Sequence, residues 1–201
     1  MAMRPAHRRR WRAFLVLKKT MGNLTMKPVT ATALSVGILG AICTWTFLSI
    51  GTVLVWAAFV AWACFFQSGG DDAALKNTIV SNIFGCFMGW LGAVMILGLP
   101  IGDLVGPQIW SATVVFITVV IYILASQIPA LASVPGTTFG YACTFAFLLQ
   151  TPDRLALPKL LSASFDNSLV VVPVSMVAGA LFGFVSAKLA AALTKPSLAP
   201  A

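Results

Sequence analysis

The chain has 201 residues, of which 59% are hydrophobic and only 9% are charged. A soluble domain carries about a quarter charged residues, so this composition excludes a soluble globular protein and predicts an all-α, polytopic membrane protein. The formal net charge is +8, and the basic residues are concentrated near the N-terminus.

The N-terminal arm, residues 1–30, is strongly basic. Eight of the thirteen lysines and arginines precede the first long apolar run, and no acidic residue lies among them. Such an arm could bind nucleic acid, but basic residues beside a first membrane helix more often hold that end in the cytoplasm and contact anionic lipid headgroups. We therefore expect the lipid bilayer as a partner and no nucleic acid. Met21 and Met26 are alternative start positions, so residues 1–20 need not belong to the native protein.

Six apolar runs follow the arm, and two of them are too short for a full membrane crossing. The four longer runs cover 31–50, 77–98, 109–128 and 168–192. The two short runs, rich in aromatic residues, cover 52–66 and 135–149. Gly69-Gly70 after the first short run and Pro135-Gly136 at the start of the second are expected to interrupt their helices. The freed backbone groups are tolerated only inside protein or beside water.

Six crossings place both termini on one side, and the basic arm predicts that this side is the cytoplasm.

The two halves of the chain, 31–98 and 109–192, resemble each other. A shift of 79 positions places Trp-Ala-Cys-Phe-Phe at 62–66 on Tyr-Ala-Cys-Thr-Phe at 141–145. Because each half has three runs, the second half enters the membrane upside down. The pattern predicts two inverted three-helix repeats followed by a tail at 193–201. Many transporters have this design, and a matched pair of short or broken helices marks their solute path.

Each half also contains a Gly-x-x-x-Gly motif, formed by Gly85 and Gly89 in the third run and by Gly179 and Gly183 in the sixth. Small residues four positions apart form a groove that lets another helix approach closely. We expect these glycines to pack the third and sixth helices against each other or against a neighbouring subunit. A bundle of short helices with such grooves also predicts a homo-oligomer.

Catalytic and metal-binding patterns are missing from the sequence. The single histidine, His7, lies in the arm, and the four cysteines are separated within apolar runs, so no clustered metal ligands and no cofactor site are predicted. The centres of the spans carry no acidic or basic residue, which argues against proton-coupled transport. The sequence also offers no His/Ser/Asp or Glu/His set for intramembrane hydrolysis, so an enzyme is not expected. Near the start of the third run, beside Ser81, Asn82 is expected to hydrogen-bond across helices as polar glue, whereas Asn77 could cap the third helix.

Two segments resemble a known family. Ser-Val-Pro-Gly-Thr-Thr-Phe-Gly-Tyr-Ala-Cys-Thr-Phe at 133–145 and the aromatic run ending in Gln-Ser-Gly-Gly at 55–70 are similar to signatures of small bacterial inner-membrane proteins related to YcdZ. The resemblance covers 31–192 and leaves out the arm. Ala57-Ala58 departs from the Ala-Gly of that family. The resemblance implies a multi-pass protein of the bacterial inner membrane, and it implies no activity, since the family is a domain of unknown function.

The two short runs supply aromatic and hydroxyl side chains that suit a narrow path for a small neutral or weakly charged solute. An alternative interpretation is that these aromatics are interfacial belts or lipid-facing residues. The predicted path residues are Trp56, Phe59, Trp62, Phe66, Pro135, Gly136, Thr137, Thr138, Phe139, Tyr141, Thr144 and Phe145.

Two functions remain open at this point. The first is a small channel or facilitative transporter whose solute the sequence does not identify. The second is a non-transporting membrane scaffold or assembly factor, in which the repeat serves packing alone and side chains close both short segments.

Overall fold

The computed structural model describes residues 26–194, so most of the basic arm and the tail after Thr194 lie outside the described residues. All regular elements within 26–194 are helical, which confirms the all-α prediction for this part of the chain. The α-helices are α1 Pro28–Ile50, α2 Val55–Gln67, α3 Asp72–Gly98, α4 Gly102–Val105, α5 Pro107–Ala125, α6 Val134–Gln150, α7 Leu157–Leu160 and α8 Ser168–Leu193. A 3₁₀ turn at Pro129–Leu131 precedes α6.

Four of these helices, α1, α3, α5 and α8, are long and apolar enough to cross a membrane. A protein with four such helices is an integral membrane protein. The α2 helix is apolar but has only 13 residues, and α6 has 17. Both therefore correspond to the short runs of the sequence.

The ends of the helices differ from the apolar runs for local reasons. The α3 helix begins five residues before its apolar run, because the Asp71 carboxylate accepts a hydrogen bond from the backbone N–H of Ala74 at 2.7 Å. Such a cap satisfies an N–H group that has no partner within the helix. Asn77 consequently lies inside α3, and the prediction that it caps this helix is wrong.

Glycines follow the end of the short helix α2, and a proline lies in the first turn of the short helix α6. Gly69 and Gly70 follow α2 with φ angles of 116° and 71°, a left-handed region that glycine adopts without a steric penalty. Pro135 lies in the first turn of α6, where a proline needs no N–H partner. It therefore begins this helix, and the expected interruption does not occur.

The short helices lie in the middle of the bundle. The α2 helix packs mainly along α8, and α6 packs mainly along α3. The α1 helix covers α8 and α5 covers α3, while α3 and α8 contact each other and α2 contacts α6. The central core joins small residues of α2 and α6, such as Ala57, Ala61 and Cys143, to Cys86 of α3 and Met176 of α8.

The four motif glycines lie where helix backbones come closest. A Cβ atom on Gly85 would overlap the carbonyl oxygen of Thr137, and one on Gly179 would overlap the carbonyl oxygen of Ala58. Gly89 and Gly183 have more room: a Cβ atom there would lie 2.9 Å from the side chain of Thr144 and 2.8 Å from that of Trp62. Each motif therefore faces a short helix, and the closest contacts join α3 to α6 and α8 to α2.

The connector between α6 and α8 is held by charges. The Asp166 carboxylate forms an ion pair with Arg154 and accepts a hydrogen bond from Lys159 at 2.6 Å. These cationic partners, Lys159 first, lower the pKa of Asp166 from its usual value of 3.8. The buried Leu160 of the same connector accepts a hydrogen bond from the indole N–H of Trp90 at 2.8 Å, so the connector is fastened to α3.

Candidate functional site

The two central aromatics of the predicted path, Trp62 and Tyr141, have satisfied polar groups. The indole N–H of Trp62 donates to Ser186 Oγ of α8 at 3.1 Å. The Tyr141 hydroxyl lies 2.8 Å from Thr118 Oγ1 of α5. Both rings are buried. A buried aromatic side chain whose polar group is hydrogen-bonded to another helix holds the two helices together. Trp62 and Tyr141 both have this role.

The other predicted path residues are distributed between the outer surface and packed contacts. Trp56, Phe59 and Phe66 of α2 are 41%, 40% and 37% exposed. Pro135 and Thr138 of α6 are also exposed. Phe139 and Phe145 pack against the buried core. The hydroxyl of Thr144 is buried and donates to the carbonyl oxygen of Gly140 at 3.0 Å.

A buried group of polar side chains lies where α3 meets α6. Thr78, Ser81 and Asn82 occupy one face of α3, since residues three and four apart are neighbours on a helix. The backbone of Thr137 in α6 lies beside this face, because its carbonyl oxygen is against Gly85, one turn along α3 from Ser81 and Asn82. We call Thr78, Ser81, Asn82 and Thr137 the polar cluster.

Small residues of α6 allow this close approach. A Cβ atom on Gly136 would lie 2.8 Å from the Cβ of Ser81 and 3.5 Å from the sulfur of Cys64. A Cβ atom on Gly140 would overlap the backbone carbonyl of Asn82. The Pro-Gly-Thr signature therefore positions Gly136 and Thr137 directly on the polar face of α3, with the end of α2 alongside.

The polar cluster is buried, and its hydrogen-bonding capacity is unused. Its four side chains are 0–1% exposed. The hydroxyl oxygens of Thr78, Ser81 and Thr137 and both amide atoms of Asn82 have no hydrogen-bond partner among residues 26–194. An unpartnered buried polar atom costs about 1–3 kcal/mol, and natural proteins contain few of them. Five such atoms lie along the contact of α3 and α6.

The polar cluster lies near the middle of the longest span. Gly85 is the central residue of the 27-residue α3, and a rise of about 1.5 Å per residue places Asn82 about 4.5 Å from that midpoint. Neither α6 nor α3 from Asn77 onwards contains an acidic or basic residue. Among the residues described here, no group of three or more His, Cys, Asp or Glu side chains is arranged to hold a metal ion. The site therefore offers uncharged donors and acceptors.

Comparison with known proteins places the chain in a family. A family model described as a protein of unknown function, DUF1097, matches residues 33–191. The chain belongs to the DUF1097 family. No curated protein and no solved structure matches it significantly.

The family match covers all the helices that build the polar cluster of this DUF1097 protein. The sequence predicts Gly136 and Thr137 as part of the solute path and Asn82 as a residue that hydrogen-bonds across helices. The prediction for Asn82 is wrong, because its amide bonds to no neighbouring helix. The spacing of Thr78, Ser81 and Asn82 on one face of an otherwise apolar span is the sequence signal that could have identified this group.

Proposed function

We propose that this DUF1097 protein lets a small neutral or weakly charged polar solute cross the membrane, and that the solute contacts the polar cluster on its way. The observation that carries this proposal is the set of five unpartnered polar atoms buried at the contact of α3 and α6. A solute with hydroxyl, amide or amine groups can both donate to and accept from these atoms, which offsets their desolvation.

The proposal includes the arrangement of two inverted three-helix repeats, with six crossings and both termini on the cytoplasmic side of a bacterial inner membrane. The packing pattern supports it, because α2 lies on α8 as α6 lies on α3, and α1 lies on α8 as α5 lies on α3. Gly179 meets Ala58 as Gly85 meets Thr137, in agreement with the sequence alignment of the halves. Solute sites of such proteins lie near the midplane between the repeats. The relation to YcdZ-like proteins is part of the same proposal.

Comparison of the halves supports a functional role for the polar cluster. In the alignment, Val172 and Met176 of α8 stand where α3 has Thr78 and Asn82, and Ala58 of α2 stands where α6 has Thr137. Val172, Met176 and Ala58 are fully buried in the structure. The same helix positions can therefore be filled by apolar side chains, so packing alone does not require the polar ones in the first half.

The alternative is a non-transporting scaffold. The backbone contacts at Gly85, Gly140 and Gly179 favour it, because helices packed this closely form a rigid body. In a scaffold the polar cluster would have no passing ligand, and the protein would not change the permeability of a membrane.

Solute flux into proteoliposomes separates the two functions. Stopped-flow light scattering after osmotic shock would measure entry of glycerol, urea and formamide, with protein-free liposomes as the baseline. We expect faster entry of at least one solute.

The combined variant Thr78→Val, Asn82→Met and Thr137→Ala installs the residues of the other half and should lower that flux about tenfold or more. The matched control Thr113→Val, on an exposed position of α5, should leave it unchanged. Flux equal to the baseline for every solute would support the scaffold.

A further inference from the structure

Packing of the helices brings sulfur atoms together that are far apart in the sequence. Cys86 of α3, Cys143 of α6 and Met176 of α8 belong to the same buried core. The Cys86 sulfur lies 3.7 Å from the Met176 sulfur, and both residues are fully buried. We call Cys86 and Met176 the sulfur pair. It joins α3 to α8, whereas the polar cluster lies at the contact of α3 and α6.

The sulfur pair has the chemistry of a soft-metal site. Thiolate and thioether sulfur are soft ligands that select Cu(I), whereas Mg²⁺, Ca²⁺ and Mn²⁺ prefer oxygen. A structural zinc site takes four ligands from Cys, His, Asp or Glu, and within residues 26–194 no group of three such side chains can hold a metal ion. Cu(I) forms stable two-coordinate complexes, so two sulfur ligands are sufficient for it.

The spacing of the two sulfur atoms suits an ion between them. Metal–sulfur bonds are about 2.3 Å long, so a linear arrangement separates the two sulfurs by about 4.6 Å. The observed separation of 3.7 Å is shorter than this by about 1 Å. The Met176 side chain is unbranched and has three rotatable bonds, so its rotation makes up the difference while both helices keep their positions.

Charge favours a monovalent ion over a divalent one. Neither α3 from Asn77 onwards nor α8 before Lys188 contains an acidic or basic residue, and an uncompensated charge at the centre of a bilayer is costly. The positive charge of Cu(I) cancels the negative charge of the Cys86 thiolate, and the Met176 thioether is uncharged. The complex is therefore neutral, whereas a divalent ion on the same two ligands would leave one positive charge.

We propose that the sulfur pair binds a single Cu(I) ion in the middle of the bundle. The Cys86 thiol, which donates to the carbonyl oxygen of Gly140 at 3.5 Å, releases its proton to the solvent as the Cu–S bond forms. The Met176 thioether supplies the second ligand. Cys86 is the residue after Gly85, the midpoint of α3, so the ion links α3 to α8 at the centre of the bundle. This binding does not depend on the proposed solute passage.

Competition for Cu(I) tests the site. The purified protein in detergent, reduced and anaerobic, would be titrated with Cu(I) in the presence of bicinchoninate, whose coloured Cu(I) complex reports the ions that the protein does not hold. We expect each chain to withdraw a single ion from the chelator. X-ray absorption of the loaded protein should show sulfur ligands alone, at about 2.3 Å. No withdrawal of Cu(I), or nitrogen or oxygen ligands in the spectrum, would overturn the proposal.

Conservative variants locate the ion. Cys86→Ser and Met176→Leu each remove one sulfur atom and nearly keep the side-chain volume. Each should weaken Cu(I) binding at least tenfold, because loss of even an outer-shell partner costs about 10–100-fold in metal affinity. The matched controls Cys43→Ser and Met88→Leu remove buried sulfur atoms from two other cores and should bind Cu(I) as the wild type does. Size-exclusion profiles confirm that the variants are folded. Equal Cu(I) affinity of Cys86→Ser and Cys43→Ser, or of Met176→Leu and Met88→Leu, would show that the sulfur pair does not hold the ion.

Discussion

Gly85 of α3 lies so close to the carbonyl oxygen of Thr137 in α6 that a methyl group on this glycine would overlap it. Gly179 of α8 has the same relation to Ala58 of α2. Within a membrane, helices associate through such close backbone contacts, because lipid offers apolar side chains as good a solvent as another helix does. These two contacts therefore hold the short helices in the centre of the bundle, and the first of them also fixes Thr137 beside the polar face of α3.

Alanine at either glycine should destabilise the fold by a similar amount. Gly85→Ala and Gly179→Ala each force two backbones apart, and overpacking of this kind costs about 1–3 kcal/mol. The control is Gly37→Ala in α1, where no atom of residues 26–194 lies within 4 Å of the added Cβ. In a helix interior this change should stabilise the protein by roughly 0.5–1 kcal/mol. Thermal unfolding in detergent measures all three, and equal melting temperatures for Gly85→Ala and Gly37→Ala would contradict the close contact.

The helices can be predicted from the sequence, because apolar length and helix-breaking residues are local signals. The short run before Gly69-Gly70 and the one after Pro135 became α2 and α6 with ends within a few residues. The start of α3 was missed because the polar first turn after Asp71 lies outside the apolar run, although its carboxylate caps the helix.

The site could be predicted only in part, because facing directions depend on packing between helices. An aromatic residue in a short helix can line a path, face lipid or anchor a neighbour, and Trp56 and Trp62 of the same helix take the last two roles. The hydrophobic pattern of a membrane helix does not separate inner from outer faces, since both are apolar. The hydrogen-bond partner of Asn82 is likewise not predictable from the sequence. It depends on which side chains of α6 face this residue.

Reagent access to the polar cluster distinguishes a hydrated path from a closed core. Ser81→Cys should react with the small, water-soluble reagent 2-aminoethyl methanethiosulfonate, because a solute path brings water to the polar cluster. The matched control is Ser175→Cys, which replaces the aligned residue of α8. Ser175 is equally buried, but it accepts a hydrogen bond from Leu54 N at 2.9 Å and donates to Val171 O. Mass spectrometry of protein in liposomes measures the modification. Protection of both cysteines would favour the scaffold.

The connector between α6 and α8 should loosen at low pH. Because its cationic neighbours lower the pKa of Asp166 below 3.8, the ion pairs stabilise the connector fully above that pH, and the contribution is lost as the pH falls through the lowered pKa. Asp166→Asn removes it at every pH. Hydrogen exchange of residues 154–166 should therefore be faster in this variant than in the wild type at pH 7.

The pH series provides the control for that comparison. The difference between the wild type and Asp166→Asn should disappear below the lowered pKa, where the wild-type carboxyl is also protonated. Asp153→Asn should exchange as the wild type does, because Asp153 forms no ion pair with any described residue and asparagine tolerates its positive φ of 59°. A difference between wild type and Asp166→Asn that persists unchanged at acidic pH would show that the ion pairs do not fasten the connector.

The orientation of the two halves can be tested with cysteines at Asp72 and Asp153. Three proposed crossings, α3, α5 and α6, separate these exposed positions, so the inverted arrangement places them on opposite sides of the membrane. Lys188 near the end of α8 lies 3.3 Å from Asp72, which puts the end of the last span on the Asp72 side. With the basic arm in the cytoplasm, an impermeant maleimide should label Asp153→Cys in intact cells and Asp72→Cys only in inverted vesicles. Labelling of both positions from the same side would exclude three crossings between them, and with those crossings the inverted repeat.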